Sequence, residues 1–349
     1  MPQHEHVNSQ PIFNLAIESS CDDFSCSILK KDNFKISIIS NVVYSQDFIH
    51  GIYGGVVPEL ASRNHIKSAI PAVEAALLKA DMKLKDINLL SVTSGPGLAG
   101  SLLVGLMTAK TISYALKIPI AAVNHIEGHI FSPFLKKEEF FPFIALVISG
   151  GHSHIYIVKS HEDIKLVGKT RDDACGEAFD KISNFLNYGY PGGKIIDTLA
   201  EKGSIDAFNF SMPMEHSGSF DLSFSGLKTQ VISEINKLGG PKQLQEKAVF
   251  DIFACLRETI AKILYKKVLA VCDYTGIKNV SVSGGVSANS RIRSIFLESS
   301  KLNAFFPEPA YSTDNAAMIG YTGFFKKNID PSRNKKIFYS LNAEPAWEL

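Results

Sequence analysis

Cysteine is scarce in this chain of 349 residues, and no two cysteines form a C-x-x-C pair. The five that occur are scattered and odd in number, which is typical of reduced thiols in a cytosolic protein rather than of a disulfide framework. They are Cys21, Cys26, Cys175, Cys255 and Cys272.

An excess of charge of one sign is also missing, because 36 Lys and Arg residues balance 35 Asp and Glu residues. A formal net charge of +1 creates no global field for nucleic acid, so an RNA partner would have to meet a local patch or a second protein. The first dozen residues hold no apolar segment and no arginine, and glycine and serine interrupt the apolar run 98–107. Neither a signal peptide nor a membrane span is predicted. We expect a soluble, cytoplasmic enzyme with no membrane partner.

The predicted order of elements repeats once along the chain. Residues 13–43 and 143–170 each indicate three strands, and each set is followed by alternating helices and strands. The halves share no obvious residue identity, so element order alone is repeated. This predicts an α/β protein of two mixed-sheet lobes with an active-site cleft between them. The predicted divisions are a disordered extension (1–12), an N-terminal lobe (13–142), a C-terminal lobe (143–330) with a cleft insertion at about 203–226, and a tail (331–349).

Two histidines, His125 and His129, stand four residues apart where a helix is predicted to begin. Such residues differ by ~40° around a helix axis and ~6 Å along it, so both imidazoles share a face and offer two ligands to a metal. Capped or surface histidines also show this spacing. A zincin protease needs Glu directly after the first His, whereas Glu127 follows one residue later and is turned by about 100°.

Asp314 stands at the start of the last predicted helix. An N-cap is the slightly favoured interpretation of an aspartate there. As a third ligand beside two imidazoles, it would instead complete a His₂–carboxylate site, which suits iron or zinc and leaves positions open for a substrate oxygen.

Glycine pairs close two apolar strands, in Ser149-Gly150-Gly151 and in Ser283-Gly284-Gly285. Without a Cβ, the backbone N–H groups of such turns can approach a phosphate closely, and a helix N-terminus after the second turn adds partial positive charge. One such turn is usually structural, but two in separate halves favour a nucleotide held between lobes. Neither turn has the G-x-x-x-x-G-K-S/T or the G-x-G-x-x-G pattern, which disfavours a Walker-type ATPase and an ordinary dinucleotide fold.

Four aspartates near helix starts are further candidates. Asp172 and Asp173 fit an acidic first turn that complements the helix dipole. Asp180 lies deeper in the same helix and is the better ligand candidate. Asp197, one turn into the helix after Gly192-Gly193, would be able to accept both hydroxyls of a ribose, although a capping or surface role fits its position equally well.

Nine short motifs follow one another along the chain. They are Glu18-Ser-Ser-Cys-Asp-Asp, Ser94-Gly-Pro-Gly, Asn124-His-Ile-Glu-Gly-His, Val147-Ile-Ser-Gly-Gly-His, Asp173-Ala-Cys-Gly-Glu-Ala-Phe-Asp, Tyr190-Pro-Gly-Gly, Phe224-Ser-Gly-Leu-Lys-Thr, Ser283-Gly-Gly-Val-Ser-Ala-Asn and Thr313-Asp-Asn-Ala-Ala-Met. Over about residues 13–325 they resemble the universal tRNA threonylcarbamoyltransferase family, of the bacterial TsaD type. The resemblance implies an actin-like, sugar-kinase-like (ASKHA) fold. It also implies transfer of a threonylcarbamoyl group from threonylcarbamoyl-AMP to N6 of adenosine 37 in tRNAs that read codons beginning with A, with release of AMP.

The resemblance also implies a site for one divalent metal, Fe²⁺ with Zn²⁺ as the alternative, at His125, His129 and Asp314. It further implies a site for the adenylate. The adenylate residues would be Val147, Ile148, Ser149, Gly150, Gly151, Asp180, Gly193, Asp197 and Asn289. The partners would be tRNA, threonylcarbamoyl-AMP, a paralogous TsaB-like subunit and a small TsaE-like ATPase. Two residues depart from the family pattern. Alanine is commoner at the position of Cys175, and proline often follows the two glycines at the position of Lys194.

Two rival functions are a metalloprotease, the label this family once carried, and an ASKHA-type ATPase or small-molecule kinase. The position of Glu127 disfavours the first, and the first strand's Glu-Ser-Ser ending, in place of an Asp-x-Gly phosphate turn, disfavours the second. No general base is identified, and Glu18 and Asp22 are guesses for that role.

Local basic residues that would contribute to tRNA binding are Lys228, Arg291 and Arg293, although solvated helix faces are the simpler explanation for them.

Overall fold

A computed structural model describes residues 10–33, 35–215, 217–326 and 340–349. Its strands are β1 (Ile12–Glu18), β2 (Phe24–Asp32), β3 (Lys35–Tyr44), β4 (Leu89–Gly95), β5 (Ile120–Asn124), β6 (Phe143–Ile148), β7 (Ser153–Val158), β8 (Ile164–Lys169), β9 (Asn279–Ser283) and β10 (Asn303–Phe305). Its helices are α1 (Asp47–Gly51), α2 (Pro58–Lys79), α3 (Ala99–Leu116), α4 (His125–Phe131), α5 (Cys175–Phe185), α6 (Gly192–Ala200), α7 (Ser225–Lys237), α8 (Glu246–Thr275), α9 (Ser290–Leu297) and α10 (Ala316–Gly323).

The described residues form two compact units. The described residues of Met1–Gln46, Pro58–Phe131 and Asn315–Glu348 form the first, and those of Asp47–Val57, Ser132–Asp314 and Leu349 form the second. The predicted division at residue 142 differs from this partition, because the segment with α1 joins the second unit and α10 joins the first. Residues 1–9 of the predicted extension and residues 331–339 of the predicted tail lie outside the described residues.

The two sheets share one topology. In the first unit the strand order is β3-β2-β1-β4-β5, and in the second it is β10-β9-β6-β7-β8, which is the same order read in the opposite direction. Each sheet consists of an antiparallel three-stranded meander extended by two parallel strands. The predicted repeat of element order is therefore a repeat of fold, and the predicted α/β class is confirmed.

Strand β1 is buried on both faces, as expected for a central strand with helices on each side. Leu15 and Ile17 share a core cluster with residues of α2 and α3. Asn14 and Ala16 point the other way, where the Asn14 side chain donates to the Gly320 carbonyl of α10 at 2.8 Å.

Helix α10 joins the first unit because its glycines let it lie directly on the sheet. A Cβ at Gly320 would stand 2.3 Å from Leu29, and one at Gly323 would stand 1.9 Å from the Ser91 hydroxyl. Side chains at either position would push the helix away from β1, β2 and β4. Sequence periodicity shows that this segment is a helix, but not which sheet it covers.

The last described residues also pack on the first unit. The Glu344 amide donates to the Ser94 carbonyl at 2.7 Å, and Lys110 donates to the Leu341 carbonyl at 3.0 Å. By length and composition alone, one described helix, α3, is long and apolar enough to cross a membrane. That helix packs against α2 and β4.

Candidate metal and nucleotide sites

Helix α4 carries the histidine pair, and all seven of its residues are buried. It begins at His125 because the Asn124 side chain accepts hydrogen bonds from the amides of Ile126 at 2.9 Å and Glu127 at 3.3 Å. These are two of the donors that a helix start leaves unsatisfied. The asparagine of the Asn-His-x-x-x-His motif therefore caps the helix that presents both imidazoles.

Gly128 allows α4 to approach α10 closely. A Cβ there would lie 2.9 Å from Ile319 and 3.1 Å from Met318, so a larger residue would separate the two helices. The N-cap of α10 is Asn315, whose side chain accepts from the Met318 amide at 3.2 Å. The slightly favoured interpretation of Asp314 as the N-cap is therefore wrong, because the residue after it performs that role.

Asp314 is joined directly to this capped helix start, and it offers a carboxylate to the two imidazoles. One ligand atom from each of His125, His129 and Asp314 lies within 4.8 Å of the others. The imidazole rings have centroids 4.7 Å apart and stand nearly perpendicular. Two nitrogens and one carboxylate oxygen at this spacing fit one divalent metal of the iron or zinc type.

The turn between β1 and β2, residues 18–23, supports His125. Oε2 of Glu18 lies 3.1 Å from Nδ1 of His125, and the Ser20 hydroxyl lies 3.1 Å from the same nitrogen. Glu18 is fully buried and also accepts hydrogen bonds from the Ser20 amide at 2.6 Å and the Thr93 hydroxyl at 2.5 Å. With Nδ1 engaged, Nε2 of His125 is the nitrogen left to meet a metal. Asp22, the other guessed base, is half-buried in the same turn.

Glu127, whose role the sequence leaves open, pairs with Lys326. Its side chain is 5 % exposed, so the lysine compensates a buried negative charge. Because Glu127 pairs with Lys326 within the first unit, it is not positioned as the general base of a zincin protease.

The turn after β6 is the first of a group of turns that meet in the second unit. Gly150 and Gly151 are exposed, and a Cβ at either would have no heavy atom within 4 Å. Packing therefore does not require these glycines, whereas close approach of a ligand to their amides would. Val147 and Ile148 are fully buried strand residues, so their side chains belong to the core and only their backbone could meet a ligand.

Helix α5 begins against this turn. The Gly176 amide donates to the Ser149 carbonyl at 3.2 Å, and a Cβ at Gly176 would lie 2.7 Å from that oxygen. One turn further along α5, Oδ1 of Asp180 accepts from the Gly192 amide at 2.7 Å. Asp180 thereby holds the start of α6, while a Cβ at neighbouring Gly193 would meet open space. Lys194 is exposed and takes no part in this bond.

Asp197 lies one turn into α6 and joins it to the start of α9. Its Oδ2 accepts from the Ser290 amide and its Oδ1 from the Ser290 hydroxyl, both at 2.9 Å. The buried Arg257 of α8 donates to Oδ1 at 2.9 Å. Sequence reasoning missed Arg257 and Ser290; the available signal was an arginine directly after the apolar run 252–256.

Asn289 precedes Ser290 and caps α9. Its Oδ1 accepts from the amides of Arg291 and Ile292, both at 3.1 Å, while its Nδ2 is buried and has no hydrogen-bond partner. Since the first three amides of α9 are occupied by Asp197 and Asn289, the expectation that this helix start would meet a phosphate is not supported. The orphaned Nδ2 donor is the group that a ligand would satisfy.

Gly284 closes the set of turns against β6. Its φ of +87° favours glycine, and a Cβ would stand 2.3 Å from the Ile148 carbonyl. The turns consequently form a closed series in the second unit, from Ser149-Gly150 through α5, α6 and α9 back to Ile148. We call this series the turn ring. Val147 lies one residue before it in β6, and the other predicted adenylate residues lie on it.

A G-x-G-x-x-G pattern does occur elsewhere, as Gly95-Pro-Gly-Leu-Ala-Gly100 between β4 and α3. Its amides are used within the first unit: that of Gly97 donates to the Pro345 carbonyl at 3.1 Å and that of Leu98 to the Ser20 carbonyl at 2.7 Å. A Cβ at Gly95 would stand 1.9 Å from the Glu344 carbonyl. These glycines serve packing, and the pattern is not a dinucleotide site.

Asp172, the first residue of the acidic pair before α5, acts on another helix. Asp172 accepts from the Phe224 amide at 2.8 Å and from the hydroxyls of Ser223 and Ser225 at 2.6 Å. Burial alone would raise the pKa of Asp172, but these hydrogen bonds lower it below its ordinary value. Asp172 therefore caps α7, a contact that the sequence interpretation of an acidic first turn for α5 did not include.

The three basic residues considered for tRNA contact are all engaged within the second unit. Lys228 pairs with Asp173 at 2.6 Å, and Arg291 forms a two-pronged pair with Glu258. The guanidinium of Arg293 lies 4.5 Å from the centre of the Phe306 ring. These contacts weigh against tRNA binding by the three residues, because their charged groups are already engaged. They also weigh against simple solvated helix faces, because each side chain contacts another residue.

Cys175, the departure from the family pattern beside Gly176, is fully buried. Burial raises the pKa of its thiol, so the thiolate that binds metals or reacts with oxidants does not form there.

Solved structures share the fold at low sequence identity. HypF from T. kodakarensis gives a TM-score of 0.59 at 14 % identity over 90 % of this chain and 48 % of its own. The activator of the 2-hydroxyisocaproyl-CoA dehydratase from Clostridium difficile gives 0.53 at 14 % identity over 93 % and 98 %. These values concern the fold alone, and they confirm the predicted ASKHA fold class.

Curated relatives are far more similar in sequence. Proteins named tRNA N6-adenosine threonylcarbamoyltransferase from Geotalea uraniireducens (strain Rf4) and Clostridioides difficile (strain 630) are each 43 % identical over 338 residues, covering 96 % of this chain and 96 % and 97 % of their own. The family model described as "TsaD: tRNA N6-adenosine threonylcarbamoyltransferase" matches residues 37–321. With the capped histidine helix and the turn ring in place, this similarity shows that the chain belongs to the tRNA N6-adenosine threonylcarbamoyltransferase family.

Proposed function

We propose that this protein transfers the threonylcarbamoyl group of threonylcarbamoyl-AMP to N6 of adenosine 37 in tRNAs that read codons beginning with A, and that it releases AMP. Family membership supports transfer to tRNA. The observation that carries the adenylate is the turn ring, which holds the exposed turn Gly150-Gly151, Asp197 and the buried, unpartnered Nδ2 of Asn289.

In this proposal the turn ring holds the AMP part of the donor. Backbone amides at Gly150 and Gly151 donate to the phosphate, which gains charge as AMP departs. Asp197 accepts from the ribose, and Asn289 donates through Nδ2. Asp180 acts by holding the start of α6, so that Gly193 presents its backbone to the ligand.

His125, His129 and Asp314 would hold one divalent metal, which we propose to be Fe²⁺, with Zn²⁺ as the alternative. When bound, the ion supplies Lewis-acid and template chemistry for oxygens of the donor. Glu18 orients His125 through Nδ1, which assigns it to positioning rather than to proton transfer. Asp22 remains the candidate for the general base.

The acceptor amine is a poor nucleophile, so alignment of the tRNA supplies much of the rate. We propose that a paralogous TsaB-like subunit and a small TsaE-like ATPase assist, and that the enzyme works in the cytoplasm. The near-neutral charge supports such help, as do the internal pairs of Lys228 and Arg291.

The test is reconstitution of the full chain with its partner subunits, threonylcarbamoyl-AMP and unmodified tRNA, with and without a chelator. We expect AMP release and the modified nucleoside, identified by mass, and loss of both after chelation. Absence of the modified nucleoside in the complete reaction would refute the proposed transfer. Undiminished modification by chelated enzyme that holds no metal would refute the metal role alone.

A metalloprotease remains testable on the same preparation. Cleavage of a peptide substrate by the folded, metal-loaded protein would favour it. We expect none, because Glu127 is engaged with Lys326.

A further inference from the structure

Arg257 places a buried positive charge behind the turn ring. Its side chain is 7 % exposed. The nitrogen Nη1 lies among four oxygens: the Asp197 carbonyl at 3.0 Å, Oδ1 of Asp197 at 2.9 Å, Oε1 of Glu201 at 2.5 Å and the Ser290 hydroxyl at 3.1 Å. Because α6 carries both Asp197 and Glu201, one arginine of α8 determines where that face of α6 points.

The hydrogen bonds of Asp197 leave little of its carboxylate for a ligand. An ionised carboxylate accepts about two hydrogen bonds on each oxygen. Oδ1 already receives Arg257 and the Ser290 hydroxyl, whereas Oδ2 receives the Ser290 amide alone. One acceptor position therefore remains, on Oδ2, and the side chain is 22 % exposed.

We propose that Arg257 is a positioning residue that turns Asp197 so that Oδ2 accepts one ribose hydroxyl of the adenylate, and one only. This inference rests on the proposed function, and it replaces the expectation that Asp197 binds both hydroxyls. Arg257 itself meets no substrate. It neutralises Asp197 and Glu201, which would otherwise repel each other one helical turn apart, and it saturates Oδ1.

The first arm of the test measures binding of AMP, 2′-deoxy-AMP and 3′-deoxy-AMP to the full-length protein by calorimetry. We expect one deoxy nucleotide to bind at least about 10-fold more weakly than AMP, because it loses a hydrogen bond to a charged group. The other should bind within about twofold of AMP, since its missing hydroxyl has no acceptor on Asp197. Equal weakening of both, or of neither, would overturn the inference.

The second arm compares variants by the ratio of their affinities for AMP and for the two deoxy nucleotides. A general loss of structure would weaken all three nucleotides alike and leave this ratio unchanged. In Arg257→Met, the affinity for AMP should fall to the affinity for the more weakly bound deoxy nucleotide. The affinity for that deoxy nucleotide should stay unchanged. Arg257→Lys should recover part of the discrimination, and it carries the test if the methionine variant does not fold. Glu201→Gln is the matched control, because Glu201 contacts the same Arg257 but is 65 % exposed; it should discriminate as the wild type does.

Two failures are distinguishable. Wild-type protein that binds none of the three nucleotides overturns the proposed adenylate site and this inference with it. Wild-type protein that discriminates as expected, but whose Arg257 variants weaken all three nucleotides by the same factor, overturns the positioning role alone.

Discussion

Oε2 of Glu18 lies 3.1 Å from Nδ1 of His125, with both side chains buried. A carboxylate behind an imidazole selects the ring tautomer, orients the ring and raises the basicity of the other nitrogen. Glu18 ends β1 and His125 begins α4, so this contact joins two sequence motifs that are 107 residues apart.

Glu18→Gln should weaken metal binding about 10- to 100-fold while the protein stays folded, because the charge behind His125 is lost. Metal affinity can be measured by competition with a chelator of known affinity. Glu127→Gln is the control, since Glu127 pairs with Lys326. The metal affinity of this variant should match that of the wild type. Wild-type affinity in the Glu18 variant would contradict the supporting role.

Asp314 and Asn315 are adjacent, and substitution should separate their roles. Asp314→Ala should abolish stoichiometric metal binding, measured by elemental analysis, yet leave the unfolding free energy of the metal-free protein nearly unchanged. Asn315→Ala should lower that free energy by about 1 kcal/mol, because it removes the cap of α10. The opposite pattern would restore Asp314 as the cap.

Gly284 and Gly151 test whether glycine serves the fold or the ligand. Gly284→Ala should destabilise strongly, since its Cβ would stand 2.3 Å from the Ile148 carbonyl at a φ of +87°. Gly151→Ala has open space around its Cβ, so its melting temperature should stay near that of the wild type while AMP affinity falls. Unchanged AMP affinity in Gly151→Ala would argue against a phosphate at that turn.

Asp172 should make stability depend on pH. Its folded-state pKa lies below the ordinary value, so its stabilisation is present above the unfolded pKa of about 4 and is lost as pH falls through the folded pKa. Asp172→Ala should lower the unfolding free energy by about 1–2 kcal/mol at pH 7, the size of a lost helix cap, and by less at pH 3. Urea unfolding at both pH values measures this, with exposed Asp163→Ala as the control. An equal loss at both pH values would contradict the ionised cap.

Local patterns predicted a large share of the fold. Alternating and helical periodicity reach only a few residues along the chain, and they indicated both meanders, the order of helices and strands, and the shared face of His125 and His129. The short helix Asp47–Gly51 was missed, because five residues carry too little periodicity to predict a helix.

Several contacts of the candidate sites were beyond sequence reasoning because they join distant segments. Asp172 and α7 lie about 50 residues apart in the chain, and Arg257 lies 60 from Asp197. Spacing shows which residues can share one helix, but not which helix faces another.

The sequence by itself determined the α/β class, the duplicated element order, the histidine pair and the family. The reason is that propensity, periodicity and glycine turns are local properties of the chain. Only the tertiary structure decided that Asn315 caps α10 beside Asp314, that Glu18 supports His125, and that Arg257 leaves Asp197 a single open acceptor. Each of these depends on close packing between remote segments, where a missing Cβ or one buried hydrogen bond determines the geometry.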